Sequence, residues 1–269
     1  MYKIENACEN DRKEIRILWD MCFAEDAAFN DYFFEKRFRA EDTLVLRENG
    51  KIVSMLQRFK YELYPTGNVS YIYGACTHPE YRRKHYMEKL LEKSREEDIK
   101  EGLVGSLLVP QEEWLFGFYE KFGFKDILRL EEKYEEKNEN LKEVKIRAVC
   151  ENDIVTMNEL YEKMLEGCTH IKRKYEEWKR QIEMFKSLGG EVYISQKNDS
   201  FCFVWNTEEI WIQEIIARDN EKEIINEIMN ICGKQRAKVT KFGNDGKKFA
   251  AARIYVGGIS GGYINLMYN

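Results

Sequence analysis

Between Tyr71 and Leu91 the sequence reads YIYGACTHPEYRRKHYMEKLL. Its hydrophobic period changes partway, from the pattern of a strand over VSYIYGACT to the helical spacing of Met87, Leu90, Leu91 and Ser94. The aliphatic run GLVGSLLVP follows and reads as a buried strand. A strand, a proline-containing turn, a basic turn, a helix and a second strand therefore follow one another without a break. Such a chain must pack strands and helices in mixed layers, which gives an α+β fold with helices flanking a sheet.

The rest of the first half fits that frame. A helix is expected over 11–24, where Ile15, Leu18, Trp19 and Cys22 share a face, and a second, aromatic helix over 28–38. TLVLRENGKIVSMLQRFKYEL holds two strand-like runs around Asn49-Gly50, a strong hairpin signal. From 131 the sequence becomes EEKYEEKNENLKE, almost purely charged and polar, and reads as a linker over 133–143 that extends a strand at its start. After it the outline begins again. A strand at VKIRAV leads to a helix that Asp153 can cap, then a helix over 173–187, strands at EVYISQK, SFCFVWN and EIWIQEIIA, and a helix over 220–232. Length supports two domains, 1–132 and 144–269, because 269 residues exceed the ~250 that one core usually serves.

Charge and cysteines narrow the function. The 43 basic and 48 acidic side chains are interspersed with a net charge of −5, which argues against a nucleic-acid partner and mildly favours cationic substrates. Seven cysteines without a C-x-x-C support neither a disulfide framework nor a zinc knuckle, and three scattered histidines make no metal cluster, so no metal is expected. With no apolar run near the ~18 residues that span a bilayer and a charged N-terminus, a cytoplasmic protein that does not bind membranes is expected. GNDGKKF lacks the spacing of a phosphate loop and reads as a turn.

The chemistry points to the start of the 84–100 helix. A helix N-terminus gathers unpaired N–H groups and about half a positive charge, so an entry turn carrying Arg82, Arg83 and Lys84 suits a pyrophosphate. Arginine adds paired donors. His85 stands where the backbone should come closest to such a group, and a glycine would be expected there. About thirty residues on comes FGFYEKFGF.

These segments together resemble the GNAT acetyltransferases, whose acetyl-CoA signature is a strand, then Gln/Arg-x-x-Gly-x-Gly/Ala, then a helix. Arg82 matches the first position, while His85 and Met87 replace the two small residues. The resemblance implies acetyl-CoA as co-substrate, with Ala75, Cys76 and Thr77 on the strand and Arg82, Arg83, Lys84, His85, Tyr86 and Met87 at the turn as its binding residues. It also implies that Tyr119, within FYEKFGF, protonates the departing thiolate. Over the whole chain the arrangement is similar to tandem GNAT acetyltransferases of the enhanced-intracellular-survival type, with a degenerate second GNAT-like domain. The sterol-carrier-like domain of that type is not expected after GYINLMYN. In the second half, Asp219 and Glu221 stand where arginine and glycine would be needed, so no second cofactor is expected.

The implied reaction is direct attack of a primary amine, on a small molecule or an exposed amino group, through a tetrahedral intermediate. The strand end at Ala75–Thr77 would supply N–H donors to its oxyanion. Glu112, Glu113 and the terminal carboxylate of Asn269 are weak candidates for the base. Glu25, Asp26 and Asp31 read either as an attraction for a cationic amine or as a solvated face, and the aromatics Trp19, Phe23, Phe29, Tyr32, Phe33 and Phe34 as core with some pocket contact. Cys76 reads as a buried strand cysteine rather than a nucleophile. Homo-oligomerisation stays open, as does the alternative of a catalytically weak or inactive CoA-sensing or interaction module.

Overall fold

The computed structural model describes residues 1–24, 27–243, 245–259 and 261–266. Glu25, Asp26 and the Asn269 carboxylate lie outside them. The chain forms two compact units, Met1–Ile127 with Phe249–Ser260, and Leu128–Lys248 with Gly261–Asn269. The division differs from the sequence expectation. It falls at 127–128 rather than in the charged stretch, and a late segment returns to the first unit.

In the first unit the order is β1 (Tyr2–Asn6), α1 (Arg12–Cys22), α2 (Ala27–Tyr32), β2 (Thr43–Glu48), β3 (Lys51–Tyr64), β4 (Gly67–Thr77), α3 (Tyr86–Lys100), β5 (Gly105–Leu108) and α4 (Glu113–Glu120). In the second unit come β6 (Lys125–Glu136, from Leu128), β7 (Ile146–Ala148), α5 (Ile154–Met164), β8 (His170–Lys172), α6 (Tyr175–Ser187), β9 (Gly190–Ser195), β10 (Ser200–Asn206), β11 (Ile210–Ala217), α7 (Glu221–Cys232), β12 (Arg236–Gly243) and the start of β13 (Lys247–Ile254). β6 therefore runs into the charged stretch that the sequence reads as linker.

The first sheet runs β1-β2-β3-β4-β5, with Ala251–Ile254 of β13 as its sixth strand. The second runs β7-β9-β10-β11-β12, and Arg129–Glu136 of β6 takes the sixth place. Each sheet is antiparallel apart from one parallel pair, β4 with β5 and β11 with β12, and each parallel pair is joined by a helix, α3 or α7. A strand's place is set by the hydrogen-bonding edge it satisfies rather than by nearness in sequence, which is why 249–254 leaves the second domain expected from the sequence.

Helix α3 is seated by both packing and charge. Leu90 and Leu91 are fully buried against Leu44, Leu46, Leu56, Ile72 and Leu108. On the same helix the Asp98 carboxylate, also fully buried, accepts hydrogen bonds from Arg58 Nε (3.1 Å), Ser70 Oγ (2.7 Å), Ser106 Oγ (2.7 Å) and Tyr255 Oη (2.9 Å). Those donors come from β3, β4, β5 and the segment after β13. One buried carboxylate thus fixes α3 across the sheet, and its loss would leave Arg58 with only the longer contact to Glu101 at 3.5 Å and strand three buried hydroxyl donors. The N-terminus of α3 is held in place as a result.

Candidate acyl-transfer site

The parallel ladder between β4 and β5 spans only Val69–Ile72 opposite Gly105–Leu108. β4 continues to Thr77, and on its other edge Tyr73, Cys76 and Thr77 stay paired with Gln57, Met55 and Ser54 of β3. Among the described residues, the edge that faced β5 has no strand partner from Tyr73 onward, so its N–H and C=O groups are left open. The ladder with β3 shifts register between Met55 and Gln57, which places a bulge at Gly74 and Ala75. Gly74 has φ +56, and a Cβ there would lie 2.1 Å from the Trp19 ring. Both the backbone angle and the space require glycine. Ala75, Cys76 and Thr77 therefore lie on a strand end that is bent away from its neighbour.

The segment from His78 to His85 then leads to α3. Pro79–Tyr81 forms a single 3-10 turn whose first turn is capped by His78 Nδ1, accepting from the Glu80 amide at 3.3 Å. Arg83 (φ 65) and His85 (φ 59) both adopt left-handed backbone angles, so the helix starts at Tyr86 and not at Lys84. His85 takes the conformation that glycine usually supplies. Its side chain is largely exposed and turned back along the helix, with Nδ1 2.7 Å from Glu88 Oε1. The ring thus points along α3, with the first-turn amides of the helix next to it in sequence.

The basic residues divide by partner. Arg82 Nε donates to the Thr77 carbonyl at 3.3 Å, which ties the turn to the end of β4. Lys84 Nζ pairs with Glu48 Oε2 at 3.1 Å and lies 4.7 Å from the centre of the Tyr81 ring. Tyr86 is buried and donates a short hydrogen bond to Glu48, whose carboxylate pushes the phenol up to about 12. Met87 packs against the core beneath α3. Arg83 makes no ion pair among the described residues and is exposed. Of the side chains at this turn, Arg82 and Arg83 are the cations most available to an anion, while Lys84 and Tyr86 hold the turn to β2.

Tyr119 sits in α4 and is buried, its ring edge-on to Phe118 and Phe124. Burial, with Cys76 nearby, raises its phenol to about 12, so it stays protonated at neutral pH. Glu112 and Glu113 lie at the start of α4 and are exposed, with Glu112 accepting from Trp114 Nε1 at 2.9 Å. Asp31 accepts from Arg16 at 2.8 Å. Trp19, Phe33 and Phe34 are buried in a ring cluster, Trp19 stacked on Phe33 at 4.7 Å, with Phe23 and Phe29 half-buried beside it. Sequence reasoning placed Trp19 in the core but did not anticipate its contact with Gly74, or the role of Glu48. The GAC of β4 held a signal, since glycine inside a strand marks a bulge.

In the second unit the strand-to-helix passage is shorter. β11 also outruns its parallel partner, being paired only over Ile210–Ile212, but three residues, Arg218–Asn220, lead directly to α7. The first turn carries Glu221 and Glu223, and Glu221 binds Lys241 at 2.5 Å. Among the described residues, the helix that holds Tyr119 has no counterpart here, because β12 is followed by β13. Among the described residues, no helix in either unit is long and apolar enough to cross a membrane.

Residues 3–127 match the acetyltransferase (GNAT) domain family. At the level of sequence, no curated protein matches the chain. Solved structures do. A conserved Enterococcus faecalis protein of unknown function superposes with a TM-score of 0.78 at 15% identity, covering 95% of this chain and 72% of that one. A GCN5-related N-acetyltransferase from Anabaena variabilis gives 0.74 at 14% identity, covering 95% and 73%. Eis1 from Mycobacterium abscessus gives 0.65 at 10%, covering 95% and 74%. At such identities the likeness is one of fold. The family match covers the unit that carries the bulged strand, the basic turn and Tyr119: residues 3–127 are an acetyltransferase (GNAT) domain.

Proposed function

We propose that the chain transfers an acetyl group from acetyl-CoA to a primary amine and binds one acetyl-CoA, in its first unit. The carrying observation is the strand edge left open from Tyr73 to Thr77 beside a helix N-terminus that enters through two left-handed residues. That pairing of features fits a long, partly peptide-like ligand that ends in a pyrophosphate. The open edge can hydrogen-bond the amides of the pantetheine arm, and the first-turn amides of α3, with Arg82 and Arg83, can hold the phosphates. Bound there, acetyl-CoA would supply an acyl group activated as a thioester.

The chain's own residues account for the remaining needs. The bulge at Gly74 and Ala75 turns backbone N–H groups away from the ladder, where they can stabilise an oxyanion. Tyr119, kept protonated by burial, holds a proton beside the end of β4 that a departing thiolate can take. The amine has to reach the site neutral, and no described carboxylate stands out as its base. The second unit carries acidic residues in place of the basic turn, which supports a single site.

Calorimetry with acetyl-CoA tests the binding, and release of free thiol across a panel of primary amines tests the transfer. One site per chain and thiol release with at least one amine are expected. Two equivalent sites, or none, would overturn the binding reading. Binding without thiol release from any amine would favour the CoA-sensing module.

A further inference from the structure

A pocket of about 540 Å³ opens in the first unit between α3, the residues that follow α4 and the end of β13. The basic turn lies elsewhere. Arg95, on the wall that α3 supplies, stands roughly 13 Å along the helix axis from Tyr86, at the usual rise per residue. Among the lining residues, Arg253 of β13 is the buried one.

Arg253 is held by groups that carry no charge. Its two amino groups donate to the carbonyls of Phe122 at 3.2 Å and Leu91 at 3.1 Å, and its guanidinium lies 4.8 Å from the centre of the Phe124 ring. Nε is buried and has no hydrogen-bond partner among the described residues. Arg58 and Arg173, buried alike, are each paired with a carboxylate, Asp98 and Glu214. Arg253 has none among the described residues, although a buried charge ordinarily finds an opposite one. The rim adds to the imbalance. Lys121 is exposed and makes no ion pair among the described residues, and Arg95 shares Glu92 at 2.9 Å, so the lining sets three cations against one carboxylate. The walls between these charges are apolar: Ile99 is 52% exposed and Phe122 is half-buried. Tyr255 contributes its ring, because its hydroxyl is committed to Asp98 at 2.9 Å.

We propose that this pocket binds a small organic carboxylate with an apolar body, such as an aryl or short-chain acid. The carboxylate accepts from Arg253 Nε and from a second N–H of the same guanidinium, whose amino groups each keep a hydrogen beyond the one given to a carbonyl. It supplies the charge that the carbonyls do not. Lys121 adds attraction from the rim, and the apolar body lies against Ile99 and Phe122. The size fits, since pockets of this volume are those that hold small molecules. The site uses none of the residues assigned to acetyl-CoA and does not depend on that reading.

The test titrates the whole chain with phenylacetate at fixed ionic strength, read by ligand-detected NMR, with phenylacetamide as the neutral counterpart. One saturable site with a dissociation constant of ~1 mM is expected, the range open to a ligand of so few atoms. Phenylacetamide should bind ~10-fold more weakly, because it brings no charge to the guanidinium. Arg253→Met should abolish the binding. Lys121→Glu, at the exposed rim where folding is not at stake, should weaken it ~5-fold and decides the matter if the Arg253 variant folds poorly. Absence of saturation, equal binding of the amide, or an unchanged constant in Lys121→Glu overturns the site. Displacement of phenylacetate by saturating acetyl-CoA would give the pocket to a phosphate of that molecule and overturn the site as well. A chain that binds phenylacetate in this way but no acetyl-CoA tells against the function proposed above and leaves the carboxylate site standing.

Discussion

The two units share a scaffold and differ at the turn. Each has the same six-strand order, with one parallel pair bridged by a helix, and in each the fourth strand outruns the fifth. Even the entry to the first helix repeats. Cys8-Glu9-Asn10-Asp11 and Cys150-Glu151-Asn152-Asp153 form the same capped turn, with the Asp carboxylate accepting from the Cys amide at 2.9 and 2.8 Å. Among the described residues, only the first unit follows its open strand with the eight residues His78–His85 and two left-handed residues, and only the first has α4 with Tyr119. In the second, the part of β11 beyond its pairing with β12 carries Glu214, buried in a bidentate pair with Arg173 at 2.8 and 2.6 Å and accepting from Tyr263 at 2.6 Å. The splayed strand is thus a property of the topology and survives in both units. The residues proposed for ligand chemistry lie in a short turn and one helix, which can be replaced without disturbing the sheet.

The sharpest way to break this comparison is at Tyr119, which has no equivalent in the second unit. Tyr119→Phe removes only the hydroxyl, and steady-state kinetics should show kcat reduced by ~100-fold with the acetyl-CoA dissociation constant changed less than twofold, as for an acid used in the transition state. Unchanged turnover would assign the ring to packing against Phe118 and Phe124. Next comes the charge at the turn. Replacing Arg82 and Arg83 together by alanine should weaken acetyl-CoA by ~10-fold or more in calorimetry at low salt, and less at high salt, where exposed charges are screened. Arg218→Ala, at the matching passage of the second unit, should leave the constant unchanged.

The repeated capping turn offers a smaller test, of stability. The hydrogen bond from Arg147 leads in depressing the Asp153 carboxyl well below the usual range, with the Cys150 amide assisting against burial. Burial works against the depression at Asp11 too, but the Cys8 amide and Arg47 overcome it. A carboxyl held low in the native state adds stability that is fully present above the unfolded value near ~4 and lost as pH falls through the native value. Asp153→Asn should therefore cost about 1 kcal/mol at pH 7 in denaturant unfolding, and the gap to the parent should shrink as pH falls below ~4. Asp11→Asn should follow the same course with a smaller cost. A gap that stays constant with pH would mean that the carboxylate's charge contributes nothing.

Local signals in the sequence explain what was legible. Asn49 and Gly50 adopt the left-handed angles that their hairpin demands, and the strand VSYIYGACT and the helix of Leu90 and Leu91 lie where their periods place them. The strand that completes the first sheet was not legible, because Ala251–Ile254 is assigned by the free edge of β5, a partner some 140 residues away. Lys84 and Tyr86 read as phosphate-binding residues in the linear sequence, yet Glu48 of β2 engages both side chains. The CEND repeat at Cys8–Asp11 and Cys150–Asp153 lies in the sequence as a sign of duplication that the expectations above did not use.

The smallest effect is expected at His85, and it tests how far the first unit has kept its turn. The backbone there already has the glycine conformation at φ 59 and ψ 26, so the local fold has adapted to the missing glycine rather than lost the turn. Holding a side chain at such angles costs on the order of 1 kcal/mol, and the Cβ remains beside the amides that a phosphate would approach. His85→Gly removes both the strain and the Cβ but gives the unfolded chain more freedom, so denaturant stability should change by less than ~0.5 kcal/mol. Binding carries no such offset, and acetyl-CoA should tighten by ~3-fold in calorimetry. His85→Ala separates the causes, because it keeps the Cβ and the strain and removes only the ring and its contact with Glu88. If alanine tightens binding as much as glycine does, the imidazole was the obstacle. If neither changes it, the ring that turns back to Glu88 leaves the cradle as open as a glycine would, and the first unit differs from a glycine-bearing turn in sequence alone.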